Sequence, residues 1–151
     1  MLEVETPADM KAYVGKSLGT SPWLTVDQKM IDLFAEATGD HQWIHVDVER
    51  AKRELPGGKT IAHGYLTLSL LPRLSHDVYT IKKRSRGVNY GSNKVRFTAP
   101  VPAGSRVRLN MTLKSVEPIE GGQRMTFEQV IEIEGGSRPV LVAETMGLAY
   151  D

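Results

Sequence analysis

Residues 61–74, IAHGYLTLSLLPRL, carry apolar side chains at Tyr65, Leu66, Leu68, Leu70, Leu71 and Leu74, covering most of the circumference of a helix. A helix apolar nearly all round has no face to give to water and must be enclosed. In a chain of 151 residues, that requires a layer wrapped around it, and the second half of the chain has the pattern for one. After Gly104, Val107, Leu109, Met111 and Leu113 alternate with Arg106, Arg108, Asn110 and Thr112. After Gly121-Gly122, Met125, Phe127, Gln129, Ile131 and Ile133 alternate with Thr126, Glu128, Val130 and Glu132. Val140, Val142, Glu144, Met146 and Leu148 follow Gly135-Gly136. Period two between glycine pairs predicts antiparallel strands joined by tight turns. Pro100-x-Pro102-x-Gly104 separates this meander from the segment Lys94–Thr98. The expectation is an α+β fold over residues 1–151, a single domain whose antiparallel sheet curls round one central helix. The outer face of such a sheet needs solvent or a partner, which leaves room for a dimer.

The first third reads as shorter elements. Residues 7–16 suggest a short helix ending at Gly15, and Ser21–Val26 a brief strand. Thr25 to Gln28 fits a capping box, with Thr25 as N-cap and Gln28 at the third helical position. Met30, Ile31, Phe34 and Ala37 or Thr38 then share a helical face, and Gly39 suits the left-handed position after the last turn. Asp47 is placed to cap a second helix, Val48–Leu55, which Pro56-Gly57-Gly58 ends.

Composition removes several classes of function. Net charge is +1, without the basic footprint of nucleic-acid binding. Cysteine is absent, so there is no disulfide, thiolate metal site or thiol nucleophile. The N-terminus, MLEVETPADMKAY, lacks the apolar core of a secretory signal, and the longest apolar run, Tyr65–Leu71, is too short to span a bilayer. The expected protein is soluble and cytoplasmic, with neither a nucleic-acid nor a membrane partner.

The residues able to do chemistry gather at FAEATGDHQWIH, Phe34–His45. Asp40 and His45 are five apart, in the non-helical segment expected after Gly39. A carboxylate beside an imidazole can activate water, one group taking a proton while the other orients or returns it. With partial burial the pair would titrate as a unit. The alternative is a turn-capping Asp40 and a satisfied core His45. Gly64, in Ile61-Ala62-His63-Gly64, opens the central helix, where a backbone N–H is unpaired and the dipole favours developing negative charge. Such a donor suits a thioester carbonyl gaining enolate character; the plainer alternative is a glycine that allows close packing. Metal binding by Asp40, His41, His45, Asp47 and His63 is disfavoured, because Gly39 ends the helix that the His41-x-x-x-His45 spacing would need. Lys82, Lys83, Arg84, Arg86, Lys94 and Arg96 form either a solvated face or a contact for a phosphorylated ligand such as coenzyme A. Trp23 and Trp43 read as packing residues, with Trp43 also placed to line a pocket mouth.

Three ordered stretches carry a resemblance: F-A-x-x-T-G-D-x-x-x-I-H from Phe34 to His45, I-A-H-G-Y-L from Ile61 to Leu66, and N-Y-G-x-N-K-V-R-F-x-x-P-V from Asn89 to Val101. Over roughly residues 20–150 the chain resembles the MaoC-like dehydratases, which include the (R)-specific enoyl-CoA hydratases, or hydratase 2. It looks most like their short, single-domain actinobacterial type. The resemblance implies a hot-dog fold, a homodimer with its site near the subunit interface, and reversible hydration of trans-2-enoyl-CoA to (R)-3-hydroxyacyl-CoA. Carried over by motif, Asp40 and His45 match the catalytic pair and Gly64 matches the residue whose N–H binds the thioester oxygen. No metal or redox cofactor is implied, coenzyme A being part of the substrate. Many members read G-D-x-N-P-x-H where this chain has Gly39-Asp40-His41-Gln42-Trp43-Ile44-His45. Gln42 is then expected to do the orienting work of the Asn through its side-chain amide. His63 is placed as a support for Gly64 or a ligand contact, and Tyr65, with Leu68 and Leu71, as acyl-pocket lining. The rivals are a hot-dog acyl-CoA thioesterase, a dehydratase of carrier-protein-bound acyl groups, and a non-catalytic acyl-CoA-binding subunit.

Overall fold

The computed structural model describes residues 1–151. Strand β1 (Leu2–Val4) is followed by a 3₁₀ turn at Pro7–Tyr13, then β2 (Ser17–Thr20) and β3 (Leu24–Val26). Helices α1 (Gln28–Thr38), α2 (Trp43–Val46) and α3 (Val48–Glu54) precede the central pair, α4 (Gly64–Ser69) and α5 (Leu71–Ser75). Strands β4 (Tyr79–Ile81), β5 (Arg86–Arg96), β6 (Ser105–Ile119), β7 (Gly122–Ile133) and β8 (Leu141–Tyr150) complete the chain. The main sheet runs β2-β6-β7-β8-β5, with β3 also on β6, and every pair in it is antiparallel. A parallel pair, β1 on β4, ties the N-terminus to the end of the central helix.

The alternation in β6 and β7 translates directly into the core. Val107, Leu109, Met111 and Leu113 are buried, as are Met125, Phe127, Gln129 and Ile131. In β8 the inward set is not the Val142, Glu144, Met146, Leu148 series but Leu141, Ala143 and Ala149. Register decides this: Ile131 stands opposite Leu141 and Gln129 opposite Ala143, and directly opposed residues share a face.

The apolar stretch forms two short helices rather than one. Pro72 sits in the first turn of α5, where its missing N–H costs nothing, and Leu70 keeps helical angles between the two. Leu66, Thr67, Leu70, Leu71 and Leu74 are buried, but Tyr65 is 69% exposed, and Ser69, Arg73 and His76 share its open stripe. The sheet therefore encloses the helix on all but one side. Helix α1 also starts differently from expectation. Thr25 pairs with Arg106 and Val26 with Ser105 in the sheet, so the helix begins only after Asp27, whose carboxylate accepts from the Met30 N–H at 2.9 Å. Ile31 and Ala35 form its buried face. Gly39 ends it at φ 79°, a left-handed angle that only glycine takes without strain. Asp47 caps α3 as expected, accepting from Arg50 N–H at 3.0 Å.

Candidate active site

The left-handed Gly39 turns the chain back across the mouth of the sheet. Asp40 then lies at the surface, its carboxylate accepting from the Gln42 N–H at 3.3 Å. Gln42 thus touches Asp40 through its main chain rather than its side-chain amide. His45 is not in a loop, as the glycine stop suggested, but on the one-turn helix α2, and it is 6% exposed. Its Nδ1 lies 2.7 Å from the Ile61 carbonyl. A carbonyl only accepts, so Nδ1 carries the proton and Nε2 keeps its lone pair free in the neutral ring.

His63 joins the two. Its ring is 2% exposed and stacks on His45 with centroids 3.8 Å apart and planes 24° apart. Its Nε2–H donates to the Asp40 carbonyl at 2.9 Å, and its buried Nδ1 has no partner. Asp40, His45 and His63 each offer a ligand atom within 4.8 Å of the others. Each ring keeps one nitrogen lone pair at the site, so the two imidazoles and the carboxylate form a cluster able to accept protons.

Gln28 is a supporting residue that the sequence did not reveal as such. Its amide donates to the His45 carbonyl at 2.7 Å and accepts from the Thr60 hydroxyl at 2.5 Å. One side chain on α1 thereby holds both the His45 turn and the segment leading to Ile61. The capping-box pattern had assigned it a local task; contacts 17 and 32 residues away leave no local signal.

Gly64 opens α4, and its N–H has no acceptor within the protein. A Cβ built here would come within 3.1 Å of the Phe97 ring, so the packing role of this glycine is present alongside the free amide. His45, Gly64, Thr67, Phe97 and Arg138 line one cleft of about 400 Å³. A second cavity, of about 670 Å³, opens further along the helix and includes Leu68 and Leu71. Tyr65 instead packs edge-on against Phe97 at 5.9 Å.

Other candidates make contacts within the protein. His41 pairs with Glu36 at 2.6 Å, and that hydrogen bond holds its pKa above the usual histidine value. Lys82 pairs with Glu3 and Glu5, and Lys83 with Glu5. Arg86 lies over Tyr150 at 4.0 Å. Trp43 is covered by Arg50 at 3.9 Å and Trp23 by Arg108 at 4.3 Å. No helix is long and apolar enough to cross a membrane.

Comparison with known proteins shows the family of the chain and its fold. Residues 9–134 match the family described as "MaoC like domain". The chain is 51% identical over 147 residues to 3-hydroxyacyl-thioester dehydratase Z of Mycobacterium tuberculosis, covering 97% of each chain. It is 48% identical over 139 residues to nodulation protein N of Rhizobium leguminosarum bv. viciae, covering 90% of this chain and 86% of that one. In fold it matches an (R)-hydratase from A. caviae involved in PHA biosynthesis, with TM-score 0.71 and 20% identity, over 89% of this chain and 94% of that one.

Proposed function

Since this chain belongs to the MaoC-like dehydratases and is a dehydratase with their hot-dog fold, we propose that it hydrates trans-2-enoyl-CoA thioesters reversibly to (R)-3-hydroxyacyl-CoA. The observation that carries the proposal is the buried His45, locked by the Ile61 carbonyl with Nε2 free, in one cleft with the unpaired Gly64 N–H.

In the proposed step the thioester oxygen rests on the Gly64 N–H, with C2 and C3 beside the dyad. Asp40 accepts one O–H of a water and orients it, while His45 Nε2 takes the other proton as oxygen bonds to C3. Electron density moves to the thioester oxygen, where the Gly64 donor stabilises it. The imidazolium then returns that proton to C2, so the atoms of one water are added across the double bond. Stacking on His63 supports the transient positive charge, because an aromatic face attracts a cation. The step requires no metal or redox cofactor.

Two copies of the chain are proposed to form the working unit. Strand β5 pairs only with β8 and leaves its other edge open along 11 residues, with Val88 and Tyr90 exposed. An edge of that length is a template for a second chain. It lies on the same side of the fold as the cavity bordering the central helix.

The test is loss of the conjugated thioester absorbance of a short trans-2-enoyl-CoA, with chiral analysis of the product. The expected result is the (R)-alcohol, with activity at least a hundredfold lower in Asp40→Asn and His45→Gln. Free thiol release would instead identify a thioesterase. Turnover confined to carrier-protein thioesters would overturn the CoA assignment, and no turnover of either by folded protein would overturn the hydratase.

A further inference from the structure

The cavity beyond the dyad cleft has a lining that a plain alkyl chain does not explain. Leu68 and Leu71 of the central helix, with Met125 and Phe127 of β7, form an apolar wall. On the concave face of the sheet, beside the apolar Phe127, Ile131, Leu141 and Ala143, stand Gln129 and Thr145, with Gln123 a further buried polar residue along β7. Gln129 is 5% exposed. Its Nε2–H donates to Thr145 Oγ1 at 2.5 Å, and its Oε1 has no donor. Thr145 is directly opposite Ser92 on β5, so polar residues continue across three strands from the buried Gln129 to the exposed Ser92. Ser69 and Ser75, the hydroxyls on the helix side, already donate to the Tyr65 and Pro72 carbonyls at 2.7 and 2.8 Å. Gln129 is therefore a residue of the cavity wall with a buried acceptor still without a donor, and Thr145, having accepted the amide proton, still has its own proton to give. A buried acceptor without a donor is destabilising, and sites that break the packing rule in this way are expected to be functional.

Position links the cavity to the reaction. Leu68 is four residues beyond Gly64, about 6 Å along the helix. Helix α4 thus leads from Gly64, where the thioester oxygen is proposed to rest, to Leu68 on the wall of this space. We infer that the cavity accepts acyl chains bearing a hydroxyl group beyond C3, whose O–H donates to Gln129 Oε1 and whose oxygen accepts from the Thr145 hydroxyl. This rests on the enoyl-thioester reading of the dyad and names the substrate class within it: oxygenated rather than purely alkyl acyl groups.

The test uses amide analogues of saturated acyl-pantetheine, which can be neither hydrated nor hydrolysed, in pairs with and without a hydroxyl moved stepwise along the chain. Titration calorimetry is expected to show the hydroxylated member binding about three- to tenfold tighter at one or two positions. In Gln129→Leu that advantage should vanish while the plain chain binds at least as tightly and the melting temperature holds. Thr145→Val, which removes only the donor, should lose part of it and serves if Gln129→Leu does not fold. No advantage at any position, an advantage surviving Gln129→Leu, or no binding of either probe would overturn the inference; in the first case water fills the role of the hydroxyl. Failure of the dyad reading looks different: a hydroxyl preference in binding with no turnover of any enoyl thioester.

Discussion

Gln28→Leu tests whether the active-site turn is held from α1. The substitution keeps the side chain's approximate size but removes the donor to the His45 carbonyl and the acceptor for the Thr60 hydroxyl. Thr60 is 2% exposed, so its hydroxyl is left with little access to water. Each buried group stranded in this way costs about 1–3 kcal/mol. Gln28 itself is half-buried, so water can replace part of the bond to His45. The third contact, to the exposed Asp32 at 2.9 Å, adds little. The expected loss is about 2–3 kcal/mol, a fall in melting temperature of roughly 5–10 °C for a domain of this size. Urea denaturation of wild type, Gln28→Leu, Thr60→Val and the double variant measures the coupling directly. With both partners gone no hydroxyl is stranded, and the double variant should recover about 1 kcal/mol relative to the sum of the single losses. A Gln28→Leu loss within about 0.5 kcal/mol, the range of an ordinary surface change, would refute the reasoning.

His63→Phe keeps a ring against His45 but removes the donor to the Asp40 carbonyl; kcat should fall about ten- to a hundredfold with melting temperature little changed, and unchanged kinetics would make His63 a packing residue only. The Glu36 carboxylate raises the pKa of His41 above 6.5. The stabilisation it brings is full below that unfolded-state value and is lost as pH rises through the higher folded-state one. Glu36→Gln should therefore lower the urea midpoint near pH 5.5 and leave it unchanged near pH 9, where the imidazole is neutral in both states; equal shifts at both would refute the ion pair. Asp27→Ala should cost about 1 kcal/mol through loss of the α1 cap, whereas Thr25→Ala should leave that cap intact; circular dichroism melts of the two would reveal the reverse order if Thr25 were the cap.

What the amino-acid sequence determined by itself is whatever rests on short-range spacing. The alternation of Val107 to Leu113 and of Met125 to Ile131 marked two strands and their inner faces. Gly39 marked the end of α1, Asp47 marked the cap of α3, and the motifs around Asp40, His45 and Gly64 placed the candidate chemistry near the mouth of the central helix. Period, cap and turn preferences depend on neighbours a few residues away, and those neighbours are written in order along the chain.

Tertiary structure decided the rest. The inner face of β8 followed from its register with β7, because Val142 and Leu141 are equally acceptable strand residues until a partner selects one. Thr25 lost the capping role because β3 pairs with β6 as far as Val26. The free nitrogen of His45 follows from a carbonyl 16 residues away, and its ring is stacked on His63 across 18 residues of sequence. Gln28 beneath the dyad and Gln129 in the cavity look like ordinary polar residues in the sequence. Only the folded chain shows that one satisfies two buried groups and that the other has an acceptor left over. Long-range hydrogen bonds and cavities exist only once the sheet has closed round the helix, and no local pattern of residue types encodes which side chains will meet there.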